Sequence, residues 1–164
     1  MAIAVVLSAS ALVVALTARS GGEDPGAAAP SGGSTIAATD PAATEAADRA
    51  FCTDIGPLMR EHNKVSRAWF SQGEPGSDAR NAGLPEFIDH TERWVASAEN
   101  VVEQHPGVQP RLKRTTQRYL DDMWLFVNNI VPGPSEDYDK AAWVDGMVAY
   151  GGPQSICDAL GAGW

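Results

Sequence analysis

Beyond residue 45 the apolar positions recur at a helical spacing. Phe51, Ile55, Leu58, His62, Val65 and Trp69 step by four and three, which places them on one face of a first helix. Gly56-Pro57 interrupts that stripe, predicting either a kink there or a helix that begins at Pro57. The turn-rich stretch SQGEPGSDARNAG, residues 71–83, reads as a loop. A second helix is predicted after Pro85, with Phe87, Thr91, Trp94, Ala98, Val101 and His105 on one face and Ile88, Val95 and Val102 widening it. His105-Pro106-Gly107 ends it.

Pro110 falls in the first turn of a third helix, whose stripe is Leu112, Thr116, Tyr119, Met123, Phe126 and Ile130. A parallel row of Leu120, Trp124, Val127 and Val131 makes this helix apolar over a broad arc and predicts a central position. VPGPSED is the next break, with Ser135 as the expected N-cap. The fourth helix carries Tyr138, Trp143, Val144, Met147, Val148 and Tyr150 and is expected to stop at Gly151-Gly152. A short fifth helix from Pro153 holds Ile156, Cys157 and Leu160. No window alternates in the manner of a half-buried strand. The expected fold class is therefore all-α: an antiparallel bundle of four main helices plus a short fifth over residues 46–164.

The first 45 residues follow different rules. Residues 1–18, MAIAVVLSASALVVALTA, carry no charged side chain and as a helix would span roughly 27 Å, close to the hydrocarbon thickness of a bilayer. A signal peptide and an uncleaved single-pass anchor are the two main readings; the absence of a basic flank before the apolar run favours the anchor. Residues 19–45 are built almost wholly of Ala, Gly, Pro, Ser and Thr, which offer too little apolar mass to pack. That segment is expected to be a flexible linker reaching on the order of 25–30 Å. Lone Arg19 is weak evidence for orientation, so the side of the membrane has to be argued from the cysteines.

Charge then narrows the partners. The 164 residues carry a net charge of −9 and a pI near 4.6, which argues against nucleic acid and against electrostatic docking on an anionic lipid surface. Contact with the bilayer is expected only through residues 1–18. The single basic concentration is PRLKRTTQR, where Arg111, Lys113, Arg114 and Arg118 crowd the predicted start of the third helix. The macrodipole disfavours cations there, so either an anionic partner or Glu99 and Glu103 on the preceding helix should face them.

The two cysteines, Cys52 and Cys157, nearly bracket the predicted bundle. No C-x-x-C motif is present, and no histidine lies near enough in sequence to complete a metal site. A disulfide tying the two ends of the bundle is the preferred reading, with two inert buried thiols as its competitor. Such a bond would place the domain in an oxidising compartment.

His62 lies on the apolar stripe, where it is either an axial haem or metal ligand inside the bundle or a core histidine with a local partner. Tyr119 is the other residue considered as a haem ligand. His90, between Glu86 and Arg93, reads as part of a surface charge ladder, and His105 sits at a helix C-terminus. Asp121-Asp122 follow Arg118 at the spacing of ordinary helix ion pairs. Paired Glu-x-x-His motifs, G-x-S-x-G, H-E-x-x-H, the P-loop and G-x-G-x-x-G are all missing from the sequence. No catalytic residue, metal site or cofactor is assigned, and a non-enzymatic role is expected.

An apolar N-terminus, an Ala/Gly/Pro/Ser tether and a small domain with a cysteine near each end resemble cell-envelope proteins of high-GC actinobacteria of the mycobacterial type. That resemblance of layout implies an extracytoplasmic domain on a single-pass plasma-membrane anchor, or a secreted domain if residues 1–18 are cleaved. The cysteine bracket and the EQHPG helix end are also similar to the small all-helical mycobacterial haemophores, which implies a haem-like ligand. The expectation carried forward is a tethered module that binds a membrane or envelope protein, as an accessory subunit; a small-ligand carrier is the alternative.

Overall fold

A computed structural model describes residues 40–164; the anchor or signal expected at 1–18 and the linker as far as residue 39 lie outside the described residues. Four helices account for most of that span: α1 Pro41–Phe70, α2 Asp78–Gln104, α3 Pro110–Asn129 and α4 Asp137–Ala159. No strand is present among the described residues. Contacting pairs ascend one helix as they descend its neighbour. Trp69–Phe87 and His62–Trp94 join α1 to α2, Phe87–Phe126 and Trp94–Tyr119 join α2 to α3, and Phe126–Trp143 and Tyr119–Tyr150 join α3 to α4. The result is a helical bundle in which α3 packs on both α2 and α4, although Trp124 and Val131 of its expected apolar arc are exposed.

Helix α1 starts at Pro41, inside the segment expected to be linker as far as residue 45. Asp40 caps it, its carboxylate accepting from the Ala42 N–H at 3.0 Å, and Pro41 occupies the first turn, where no N–H is needed. Alanine lowers the apolar mass of a segment and is also the best helix former, so AATEAA extends the helix rather than the tether. The added turns tie down two other helices. Buried Asp48 accepts from the backbone N–H of Gln109 at 2.9 Å and from its side-chain amide, capping α3 from outside. Arg49 donates to the carbonyl of Leu160, the C-cap of α4.

Proline does not end helices here as the sequence suggests. Pro57 and Pro85 lie inside α1 and α2 on exposed positions, where the unpaired carbonyl one turn earlier can reach water. Helix α2 accordingly begins at Asp78, not after Pro85. Helix α4 continues through Gly151, Gly152 and Pro153 to Ala159, so the expected fifth helix is the last part of the fourth. Pro153 is buried, and Cys157 beyond it is bonded to Cys52 of α1 across a sequence separation of 105. The N-cap of α4 is Glu136, in a capping box with Asp139, and not Ser135.

Trp143, Met147 and Tyr150 of the expected α4 face pack against the core, but the rest of that face differs. Val144 and Val148 are exposed, and the buried row is Ala142, Gly146, Ala149, Pro153 and Cys157. These small residues bring the α4 backbone close to α3: a Cβ on Gly152 would lie 2.5 Å from that of Thr115.

Candidate functional site

The thinly packed side of the bundle is the seam between α1 and α4, where few residues of the two helices touch. At one end the Cys52–Cys157 bond holds them, with Cα atoms 5.5 Å apart. Midway, the Tyr150 hydroxyl accepts from the Asn63 side-chain amide and from the indole N–H of Trp164, both at 2.8 Å. Trp164 folds back along α1, with its ring beside Gly56. Beyond the second tie, on the side away from the disulfide, lies a cavity of about 370 Å³ lined by Ser66, Phe70, Tyr119, Trp143, Tyr150 and Trp164, among others. Two acceptor positions of Tyr150 are thus filled while its own proton stays available as a donor.

Phe70 and Trp143 meet edge to face with ring centres 4.5 Å apart and line this cavity and a second one beyond it. The second cavity, about 420 Å³, lies among Phe126, Val144, Arg80, Asp139 and Lys140. Two loops close this end. Asn81 donates to the carbonyl of Gly76 and accepts from the N–H of Gly133, clamping the α1–α2 loop to the α3–α4 loop. Gly76, at φ +86°, lies so near that chain that a Cβ would fall 3.1 Å from Gly133 and Pro134.

The two sequence-derived cofactor candidates are brought near each other. His62 is 1 % exposed, stacked on Trp94 at 3.9 Å between ring centres, and 6.4 Å from the ring of Tyr119. Its Nε2 faces the Ser66 hydroxyl at 3.3 Å, and Nδ1 has no partner. Burial, with a smaller effect of His90, lowers its pKa from the ordinary 6.5 to about 3, so the ring is neutral at ordinary pH. Burial likewise raises the pKa of the Tyr119 phenol, helped by Tyr150. Tyr119 lines the seam cavity, whereas His62 lines neither of the two cavities, and Trp94 covers one face of its imidazole. His90 stacks parallel to His62 at 5.9 Å instead of joining a charge ladder, and Arg93 pairs with Asp89.

The basic group at the start of α3 stays on the surface. Arg118 pairs with Asp122 at 3.6 Å and Asp145 at 3.8 Å. Arg111, Lys113 and Arg114 are exposed, and the ion pairs among the described residues include neither them nor Glu99 and Glu103. The carboxylate at this helix terminus is Asp48, from α1. His105 meets Asp54 at 2.9 Å. Among the described residues no three His, Cys, Asp or Glu side chains cluster as a metal site, and no helix is long and apolar enough to cross a membrane.

Sequence reasoning did not single out Asp48, Arg80, Asn81 or Trp164. Arg80 and Asn81 fall in the stretch that reads as a loop, which hides their places in the first turn of α2.

The described part of the chain is a disulfide-closed all-helical domain with an aromatic seam between its first and last helices. No protein-family model matches the chain, and no curated protein or solved structure matches it.

Proposed function

We propose that this protein is a non-enzymatic, membrane-tethered, extracytoplasmic helical module that binds a protein partner as an accessory subunit of a cell-envelope complex, and that the α1–α4 seam is its binding surface. The observation that carries this reading is the seam itself: a cavity between α1 and α4 beside the Asn63–Tyr150–Trp164 tie, lined by Phe70, Trp143, Tyr150 and Trp164. Aromatic residues with one polar atom are the commonest anchors of protein interfaces. The Cys52–Cys157 bond supports an oxidising compartment, and the uncharged residues 1–18 support a tether.

The test places a photo-crosslinking amino acid in the full chain in its native membrane, at Gln154 in the seam or at exposed Ser97 on α2. A discrete adduct from position 154 that is missing from position 97 is the expected result. Equal adducts from both positions, or none from 154, would sink the reading. A haem-like carrier is the competing function, with Tyr119 the better placed of its two ligands because it reaches the seam cavity. Haem titration of the same chain decides that point: a Soret shift lost in Tyr119→Phe or His62→Ala would favour the carrier.

A further inference from the structure

Arg80 is the one buried cation among the described residues, 8 % exposed. Its guanidinium lies over the rings of Trp69 and Phe70, at 4.3 and 4.7 Å from their centres, and donates one long hydrogen bond, 3.4 Å, to the Gly73 carbonyl. Trp69 returns an indole N–H to the Arg80 carbonyl at 3.1 Å, so the residue is held from both its main chain and its side chain. The other basic side chains seen in ion pairs have their carboxylates: Arg49 has Glu45, Arg93 has Asp89, Arg118 has Asp122 and Asp145, and Lys140 has Asp137. Arg80 has none within that range, and the nearby Glu74 acts on it only through space, without an ion pair. A guanidinium has five N–H donors in a planar fork, and burying it with one weak acceptor is costly.

The cavity of about 420 Å³ opens on this side chain. Its walls are Phe70, Phe126, Trp143 and Val144, and Lys140 adds a second cation at the rim. The one carboxylate lining it, Asp139, is occupied in the first turn of α4, where it accepts from the Glu136 N–H at 3.1 Å. Apolar walls with an unmatched fork beside them select a ligand with an apolar body and a single planar anion. We infer that this cavity is a binding site for a small monocarboxylate with an aromatic or branched aliphatic body, with Arg80 holding the carboxylate. The site shares Phe70 and Trp143 with the seam proposed above, but its anion-holding group, Arg80, lies outside that seam, and the proposal does not depend on the protein partner.

The experiment uses the full, oxidised chain and two probes of one shape, 4-(trifluoromethyl)phenylacetate and its neutral amide, observed by fluorine NMR. The acid is expected to bind at least about tenfold more tightly than the amide, as one desolvated charge-assisted pair would give. Arg80→Gln should erase that preference. Because that variant also loses the stacking on Trp69 and Phe70, Lys140→Glu provides a second arm on an exposed position. It should weaken the acid about fivefold or more and leave the amide unchanged. The proposal is overturned if acid and amide bind alike, if neither binds up to about 10 mM, or if Lys140→Glu leaves the acid's affinity as it was. An acid preference that persists in a folded Arg80→Gln variant also overturns it, since Arg80 would then serve only to pack Trp69 and Phe70.

Discussion

At the scale of single residues, His62 shows how a titratable group becomes part of the core. Its place on the apolar stripe is legible in the sequence, because the step from Leu58 to His62 to Val65 keeps one helix face. Its partners are not, since Trp94 and Tyr119 come from two other helices. The neutral ring is the folded form, while the unfolded chain binds a proton near pH 6.5. This contribution is complete above that pH and is lost as the pH falls from 6.5 towards about 3. Between pH 6.5 and 5 the fold should lose about 2 kcal/mol that a His62→Phe variant does not lose. Urea unfolding of both proteins at the two pH values checks this, and parallel losses would show that carboxylates carry all the acid sensitivity. Asp48 illustrates the opposite case. Nothing in its local sequence marks it as a cap, and only the arrival of Gln109 from a chain segment 61 residues away turns it into one.

At the scale of elements, the departures from expectation cluster at proline and glycine. Local chemistry says that Pro85 and Pro153 should begin helices, yet each lies within one, and Pro57, where either a kink or a start was expected, also lies within a helix. A proline costs a helix a hydrogen bond and a steric clash, about 3 kcal/mol, and tertiary packing can exceed that. For α4 the compensation is visible in its small-residue face, which the expected row of large apolar residues overlooked. Gly151 and Gly152 separate the two roles of glycine. Nothing lies within 4 Å of a Cβ at Gly151, while a Cβ at Gly152 would strike the β-branched Thr115 at 2.5 Å. Gly151→Ala should therefore stabilise the domain by roughly 0.5–1 kcal/mol through helix propensity. Gly152→Ala should destabilise it by about 1–3 kcal/mol through overpacking. Thermal melts of the two single variants test the pair, and a common sign for both would refute the close α3–α4 approach as its cause.

At the scale of the whole molecule, the disulfide closes α1 against α4 at one end, and the two loops clamped by Asn81 close the other. Cys52 and Cys157 are both buried, at 1 % and 0 % exposed. Bridging 105 positions should be worth on the order of 4–5 kcal/mol in the chain-entropy account. A Cys52→Ala/Cys157→Ala variant is expected to melt at least about 10 °C below the parent. An unchanged melting temperature would mean that the bond adds nothing to the packed ends. The amino-acid sequence alone determined the helical class and the boundaries of α3, and it favoured the cysteine pair, because each follows from periodicity, spacing or local caps. The tertiary structure decided which prolines a helix could absorb, which face of α4 would be buried, which carboxylate would cap α3, and that Arg80 would lie beside a cavity without a carboxylate of its own. Those outcomes depend on groups distant along the chain, whose packing energies exceed the local preferences by which a sequence is read.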